Sequence, residues 1–396
     1  MRILTLIVLV SSFYLLNSIS AQQTFHPGVL MFEIKGAIQP NFLNQSQRNQ
    51  NDFALQDNIN NYPYLKTVFA EAHVTKLERP SYFTFKPSLQ NIYRIYFEDY
   101  ANINHYLNQL EKVAQIKYVE KEPIYSTGFV PNDPNHTGTN KWYHTLVGSE
   151  SAWDITKGRN EVKIAIVDNA VYSTHSDLTA FKQYDVADND NNAAPPQTYT
   201  QDQGWSHGTH CAGLATADIN NAIGIAGIGA NVELIGVKCT PNNASSSGSV
   251  WYGYAGVQWA CENGAHVVSM SFGGTSPSQA FQTLIDAYPN VVFLAAAGNS
   301  NVTTLHYPGA YNNVICVGSV DANDQRSSFS NFNGATPYVD IAAPGGYSNG
   351  GLLSTVYTSN ANGYAKMGGT SMATPFAAGL VGLMLSVNPT LTPAQV

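Results

Sequence analysis

Charged residues are scarce in this chain of 396 residues. Lys, Arg, Asp and Glu together make up 12% of the sequence, whereas hydrophobic residues make up 44%. Such a composition excludes a disordered or coiled-coil protein, and it leaves enough apolar side chains for a sizeable core. The length exceeds that of one typical domain, so we expect a large domain accompanied by a smaller one.

Basic residues are fewer than acidic ones. The formal net charge is −8 at pH 7, and no stretch of the sequence looks like a basic patch. Nucleic acids and anionic membrane surfaces attract positive charge, so we expect neither of them as a partner.

Cysteine is also rare, with only four residues in the chain: Cys211, Cys239, Cys261 and Cys316. No two of them have C-x-x-C spacing, which disfavours a zinc site. In an oxidising compartment four cysteines can pair fully in three ways, and the sequence does not choose among them. Cys211 follows His207 by four residues in a helical pattern, which also fits a buried free thiol.

The N-terminus carries a long apolar run. Arg2 precedes apolar residues 3–16, and small residues ending in "SISA" follow. This order predicts a secretory signal peptide over residues 1–21, with cleavage near Ser20 or Ala21. The run is shorter than the roughly 20 residues that span a bilayer, and we expect no later segment to be long enough to span one. The sequence therefore predicts a secreted, extracellular protein without a membrane anchor.

Residues 22–128 predict a small α+β domain, because strand-like alternation flanks a segment with helical spacing. The strand patterns are VLMFEIKG (29–36), IYRIYFED (92–99) and IKYVEKEPIYS (116–126), and the helical pattern covers 101–115. Turn residues are concentrated in residues 126–140, which we interpret as the domain boundary.

From residue 131 onwards, apolar strands alternate with helical segments. The strand patterns are VKIAIV (162–167), VELIGVKC (232–239), HVVSMS (266–271) and NVVFLAAA (290–297). Continuous apolar strands separated by helices indicate an α/β fold with a mostly parallel sheet and helices on both faces. A site is then expected at the carboxyl ends of the strands. Thr392 and Gln395 form a capping-box pattern that begins a helix, so we expect the domain to be truncated at its C-terminus.

Two polar clusters follow or lie between the predicted strands. Asp168 comes directly after VKIAIV, where a buried carboxylate would need partners, although it could also simply cap a loop. His207 and His210 lie in WSHGTHCAG at a spacing that would suit a zinc pair. However, H-E-x-x-H is absent, and no neighbouring carboxylate supplies the base that such an enzyme needs. An imidazole titrates near neutral pH, so His207 suits a general base.

A third cluster surrounds Ser371 in KMGGTSMATPF (366–376), at the predicted start of a helix. The N–H groups of a helix N-terminus favour negative charge, and the two glycines before Thr370 leave room for a substrate backbone. Asn299 follows the strand pattern 290–297, and its amide could donate to an oxyanion together with the N–H of Ser371. With His207 and Asp168, the chain then has a nucleophile, a base and a group that orients the base.

These motifs, in the order Asp168, His207, Asn299 and Ser371, resemble those of the subtilisin-like serine proteases, and the resemblance covers residues 131–396. The cysteine in HGTHCAG is similar to the proteinase K branch. The resemblance implies a secreted serine endopeptidase that acts on polypeptides through an acyl-enzyme, works as a monomer and needs no cofactor for catalysis. The alternative is a catalytically inactive homologue that binds peptides or a protein partner.

The resemblance also implies roles for other segments. Residues 22–128 resemble the family's propeptide, which inhibits the enzyme until it is cleaved from the zymogen. Residues 248–254 would form an edge strand that sets the S2 and S4 subsites. The walls that bind substrate around S1 would be Ser271, Phe272 and Gly273 on one side, and Ala296, Ala297 and Gly298 on the other.

Several residues depart from the family pattern. Ala170 replaces a glycine, which would strain that turn if it needs a positive φ. His306 occupies the floor of S1, where glycine is frequent, so we expect a shallower or more polar pocket. Phe376 stands where histidine is common, and the bond before Pro308 is expected to be cis, as in relatives. A structural calcium ion is compatible with the family, and Asp340 matches a position that some relatives use, but it equally suits a loop aspartate.

Overall fold

The computed structural model describes residues 25–36, 55–57, 59–69, 74–81, 86–124, 128–196, 203–358 and 363–396. The chain divides into two compact units, residues 1–127 and residues 128–396. The predicted signal peptide lies outside the described residues.

The first unit is an antiparallel sheet with helices, as the alternating patterns predicted. Its elements are β1 (Phe25–Ile34), β2 (Leu55–Asp57), α1 (Pro63–Val68), β3 (Val74–Arg79), α2 (Pro87–Gln90), β4 (Ile92–Phe97), α3 (Ile103–Leu110) and β5 (Ile116–Pro123). The five strands follow the order β2-β3-β4-β1-β5. Alternate residues of β4, namely Tyr93, Ile95 and Phe97, are buried in the core of this unit. This period of two is what places one face of a strand against a core.

The second unit contains a sheet of seven strands that all pair in parallel. The elements are α4 (Trp142–Val147), α5 (Ser149–Ile155), β6 (Lys163–Asp168), β7 (Ala180–Asp185), α6 (His207–Thr216), β8 (Glu233–Lys238), α7 (Gly253–Glu262), β9 (Val267–Met270), α8 (Gln279–Ala287), β10 (Val292–Ala296), β11 (Val314–Val320), β12 (Ile341–Pro344), β13 (Leu352–Val356), β14 (Gly363–Met367) and α9 (Thr370–Val387). The strand order is β12-β11-β10-β9-β6-β8-β7, and β13 pairs with β14 separately.

Helices cover both faces of this sheet. In β6, Ile164 and Ile166 point into one core together with residues of α6 and α9. The intervening Ala165 and Val167 point into a second core with residues of α7 and α8. A strand buried on both sides needs apolar residues at every position, which explains the continuous run in the sequence. The predicted α/β class is confirmed.

Helix α9 lies at the centre of the first of these cores. Its 18 residues have a mean hydropathy of 1.5, enough to cross a membrane by length and composition. The prediction that no later segment could span a bilayer is therefore wrong on length and composition. However, 78% of the helix is buried inside the protein, where it packs against α6 and strands β6 and β9 to β12. These contacts are those of a core helix.

Phe376, which stands where histidine is common in the family, belongs to the same core. It is 2% exposed, and its ring meets those of Tyr143 and His144 edge to face, with centroid distances of 5.6 and 5.5 Å. A histidine at this position would have to bury a polar ring among these groups. Phe376 is thus a packing residue.

Three further expectations concern the backbone. Ala170 does not have a positive φ, and its N–H donates to the side-chain oxygen of Asn169 at 2.7 Å, so the expected strain is absent from this turn. The Tyr307–Pro308 bond is cis, as predicted. The capping box at Thr392 is present, but it begins a single 3-10 turn.

Candidate active site

Three of the predicted residues follow neighbouring strands of the parallel sheet. Asp168 ends β6, Ser271 follows β9, and Asn299 follows β10. These strands are adjacent and parallel, so their carboxyl ends meet at one edge of the sheet. A cleft of about 910 Å³ opens there, and its lining includes Asp168, His207, Asn299 and Ser371. The structure therefore brings the four predicted residues together.

Asp168 and His207 are directly hydrogen bonded. The carboxylate is 1% exposed, and its Oδ1 lies 2.8 Å from Nδ1 of His207. The same oxygen accepts the N–H of Asn169 at 2.7 Å. Because a carboxylate can only accept, Nδ1 carries the proton, and Nε2 keeps a lone pair that can take a proton from another group.

The same contact sets the basicity of the imidazole. Burial disfavours the charged imidazolium, but the negative charge of Asp168 and its hydrogen bond favour it more strongly. As a result, the pKa of His207 is raised above its ordinary value of 6.5. The ring therefore holds an abstracted proton more firmly than a free histidine does.

Gly208 explains how α6 begins so close to β6. A side chain at this position would place its Cβ 2.4 Å from the carbonyl oxygen of Ala170 and 2.6 Å from Cβ of Asp168. Real Cβ atoms do not approach backbone atoms so closely, so only glycine lets His207 reach the carboxylate.

Asn169 is a positioning residue that was not among the residues predicted for the site. Its amide nitrogen donates to the carbonyls of Gly204 and Ser247, both at 2.6 Å. Its amide oxygen accepts the N–H groups of Ala170 and Gly208 at 2.7 and 3.3 Å. One side chain thus joins the end of β6 to the start of α6. The available signal was a second polar residue directly after a buried strand.

Ser371 is the second residue of α9. Its hydroxyl donates to the carbonyl of Ser271 at 3.2 Å, and no hydrogen bond joins it to His207 in the described structure. Catalytic hydrogen bonds are often long in ligand-free structures and tighten when substrate binds. A hydrogen bond from Ser371 to His207 would require the hydroxyl to leave the Ser271 carbonyl.

The carbonyl of Ser371 is held by side chains. Pro375, four residues later in α9, has no N–H to give it. The hydroxyl of Ser271 at 2.8 Å and the thiol of Cys211 at 3.4 Å donate instead. Burial raises the pKa of Cys211 well above its ordinary value, so the thiol stays protonated and serves as a donor. All four cysteines of the chain are free.

A metal centre does not fit this cluster. Asp168, His207 and Cys211 place ligand atoms within 4.8 Å of one another. In the described structure these groups bond to other partners: Nδ1 of His207 donates to Asp168, and the thiol of Cys211 donates to the carbonyl of Ser371. His210, whose spacing from His207 would suit a zinc pair, faces the carbonyls of Leu352 and Ala365 at 3.0 and 3.1 Å, and burial lowers its pKa to about 3.

Thr370 fixes the orientation of Asn299. Its N–H and its hydroxyl both lie 2.9 Å from the side-chain oxygen of Asn299. An N–H can only donate, so that atom must be the amide oxygen, and the Nδ2 donor is left over. A Cβ on Gly369 would lie 3.3 Å from Nδ2, so this donor stands beside the residues that precede Ser371. Thr370 was not among the residues predicted for the site.

The predicted substrate-binding walls differ in their exposure. Ser271, Phe272 and Gly273 line the cleft just beyond β9. Ala296, Ala297 and Gly298 are buried and lie outside its lining, and the ring of His306 lies close to Gly298. Their role in binding substrate stays a prediction.

The predicted edge strand at residues 248–254 is wrong. Gly248, Ser249 and Val250 line the cleft without forming a strand, and α7 already begins at Gly253.

Two buried carboxylates lie away from the cleft. Asp133 and Asp177 are 3% and 0% exposed, and the side chain or N–H of Asn221 contacts each of them. Their partners in the described parts of the chain are neutral donors. Burial raises the pKa of Asp177 to about 7. By contrast, Asp340 is exposed and accepts the N–H of Cys316 at 2.8 Å, as a structural loop aspartate does.

Comparison with known proteins agrees with this arrangement. The sequence model of the subtilase family matches residues 159–396. Thermitase from Thermoactinomyces vulgaris is 39% identical over 263 residues, which is 65% of this chain and 86% of that protein. Subtilisin DY from Bacillus licheniformis is 37% identical over 246 residues, 61% of this chain and 82% of that protein.

A solved structure is similar as well. The protease from Pseudoalteromonas arctica PAMC 21717 is 29% identical, with a TM-score of 0.60 over 67% of this chain and 90% of that chain. The finer resemblance to the proteinase K branch stays a prediction.

Proposed function

Because the chain belongs to the subtilase family and is a serine-type endopeptidase, we propose that Ser371, His207 and Asp168 form its catalytic triad. The observation that carries the proposal is the 2.8 Å contact between Asp168 and His207 in the cleft that Ser371 also lines.

Each residue has a distinct task in the proposed reaction. Nε2 of His207 removes the proton from the Ser371 hydroxyl, and the oxygen attacks the peptide carbonyl. Nδ2 of Asn299 and the N–H of Ser371 donate to the resulting oxyanion. His207 then gives its proton to the leaving amine, and water hydrolyses the acyl-enzyme. Asp168 keeps the imidazole in the required tautomer throughout.

The proposed enzyme is a secreted zymogen. Residues 1–21 would direct export, and residues 22–128 would act as an inhibitory propeptide that the enzyme removes by its own activity. The signal-peptide pattern supports the first assignment. The separate α+β unit that ends at residue 127 supports the second.

A structural calcium ion fits the buried carboxylates. Asp133, Asp177 and the side-chain oxygen of Asn221 would hold it, since calcium prefers oxygen ligands. The ion would offset two negative charges that are buried with neutral partners. Its contribution would be to stability.

A fluorophosphonate probe tests the triad. We expect the folded, propeptide-free protein to be labelled, and labelling to be lost in Ser371→Ala. Ser276→Ala removes another hydroxyl that lines the cleft and should be labelled like the wild type. A folded mature protein that is not labelled would favour the alternative, an inactive homologue that binds peptides.

A further inference from the structure

Two backbone segments flank the proposed nucleophile. On one side, the carbonyl of Ser271 accepts the hydroxyl of Ser371, and Gly273 lies two residues further along. On the other side, the N–H of Gly298 donates to the hydroxyl of Thr370 at 3.2 Å, directly before Ser371. The space between Gly273 and Gly298 is therefore adjacent to the attacking oxygen, where the side chain before the scissile bond must lie.

The imidazole of His306 occupies this space. A Cβ built on Gly273 would lie 2.8 Å from Cε1 of His306, and one built on Gly298 would lie 2.8 Å from its Cδ2. Opposite edges of the imidazole ring thus face Gly273 and Gly298. Cε1 and Cδ2 are both bonded to Nε2, so the tip of the ring lies between the two glycines.

Hydrogen bonds to neighbouring residues hold each of the two segments in place. Gly274 and Tyr307 exchange two backbone hydrogen bonds of 2.8 and 2.7 Å, which hold His306 beside Gly273. On the other side, the side-chain amide of Asn331 donates to the carbonyl of Ala297 at 2.9 Å. The backbone N–H of Asn331 donates to the carbonyl of Gly298. A large substrate side chain could enter only if the ring of His306 moved.

The ring offers no positive charge to a substrate at neutral pH. Nδ1 of His306 is buried and has no hydrogen-bond partner among the described residues. Burial lowers the pKa of this histidine below its ordinary value, so the neutral form predominates. An acidic side chain would therefore lose its hydration without gaining an ion pair.

We propose that His306 fills the pocket for the P1 side chain, so that this endopeptidase cleaves after glycine, alanine and serine and discriminates against large or charged residues. The proposal rests on the proposed function, because it places the pocket relative to Ser371 as the nucleophile. The specificity is steric, set by the volume of the ring between Gly273 and Gly298.

Peptides that differ only at P1 test the proposal. The enzyme is expressed as the full chain and assayed after maturation. We expect kcat/KM for alanine to exceed that for phenylalanine, leucine, glutamate and lysine by at least ~10-fold, since a misfit of one methylene already changes rates by roughly 10–200-fold. In His306→Gly the phenylalanine-to-alanine ratio should rise by ~100-fold or more. In His306→Phe, which keeps a ring, alanine should remain preferred.

Controls separate this inference from the proposed function. Active sites are titrated with the fluorophosphonate probe, so rates refer to folded enzyme and a poorly folding variant is recognised. His266→Ala changes a histidine at the opposite end of β9 and should leave the P1 ratio unchanged. Absence of both labelling and hydrolysis would refute the proposed function itself. A labelled enzyme that prefers a large or acidic P1, or an unchanged ratio in His306→Gly, overturns only the role of His306.

Discussion

Thr370 donates two hydrogen bonds, both of 2.9 Å, to the side-chain oxygen of Asn299. One comes from the backbone N–H and the other from the hydroxyl of a fully buried side chain. They turn the amide so that its nitrogen remains available as a donor. A residue that faces away from the cleft thereby determines what the cleft can stabilise.

Thr370→Val removes the hydroxyl while keeping the shape of the side chain. We expect kcat to fall by about 10-fold with little change in KM, a part of the ~10²–10³-fold that deletion of an oxyanion donor costs. Steady-state kinetics on one peptide substrate measures both constants. Thr370→Ser restores the hydroxyl and should recover most of kcat. A loss that appears in KM alone would show that Thr370 does not act through Asn299.

The sequence predicted those features that depend on local patterns. The run before Asp168 indicated a strand buried on both faces, and β6 is such a strand. The contact between Thr370 and Asn299 joins residues 71 positions apart. No local pattern could predict it, because it depends on how α9 meets the end of β10. Phe376 likewise became intelligible only from its contacts with Tyr143 and His144.

The error at residues 248–254 has a different cause. The resemblance assigned a strand to residues 248–254, whereas the described structure has no strand there and α7 already begins at Gly253. A strand that exists only as one half of a ladder cannot be inferred for the isolated chain. His306 shows the opposite case, since its position was predicted but its contact with both glycines requires the folded backbone.

The acid limb of the pH profile should report His207. The imidazole must be neutral to accept the serine proton, and its pKa is raised above 6.5 by Asp168. We expect kcat/KM to fall as the pH drops through this raised pKa. In Asp168→Asn the limb should move to lower pH, and kcat should fall by ~10⁴-fold, as in a serine protease with the corresponding change. An acid limb at the same pH in both proteins would contradict this assignment.

Phe376→Ala should destabilise the protein without changing its chemistry. The side chain is 2% exposed between Tyr143 and His144, so its removal leaves a cavity. We expect the free energy of unfolding to fall by about 3–5 kcal/mol. Denaturant unfolding in a Ser371→Ala background, which prevents self-digestion, measures the change. Phe376→Leu refills part of the space and should lose less; equal losses in the two variants would argue against a packing role.

Calcium and protons are expected to compete for Asp177. Burial raises the pKa of this carboxyl group from 3.8 to about 7. When a chelator removes calcium, the folded state therefore binds this proton more tightly than the unfolded state does. The free energy of unfolding then falls as the pH rises from about 4 to about 7. Calcium favours the ionised carboxylate and should remove that loss. The Tm of Ser371→Ala, measured with EDTA and with calcium, checks this, and adding Asp177→Asn should abolish most of the difference. Matching Tm curves with EDTA and calcium would mean that Asp177 holds no calcium.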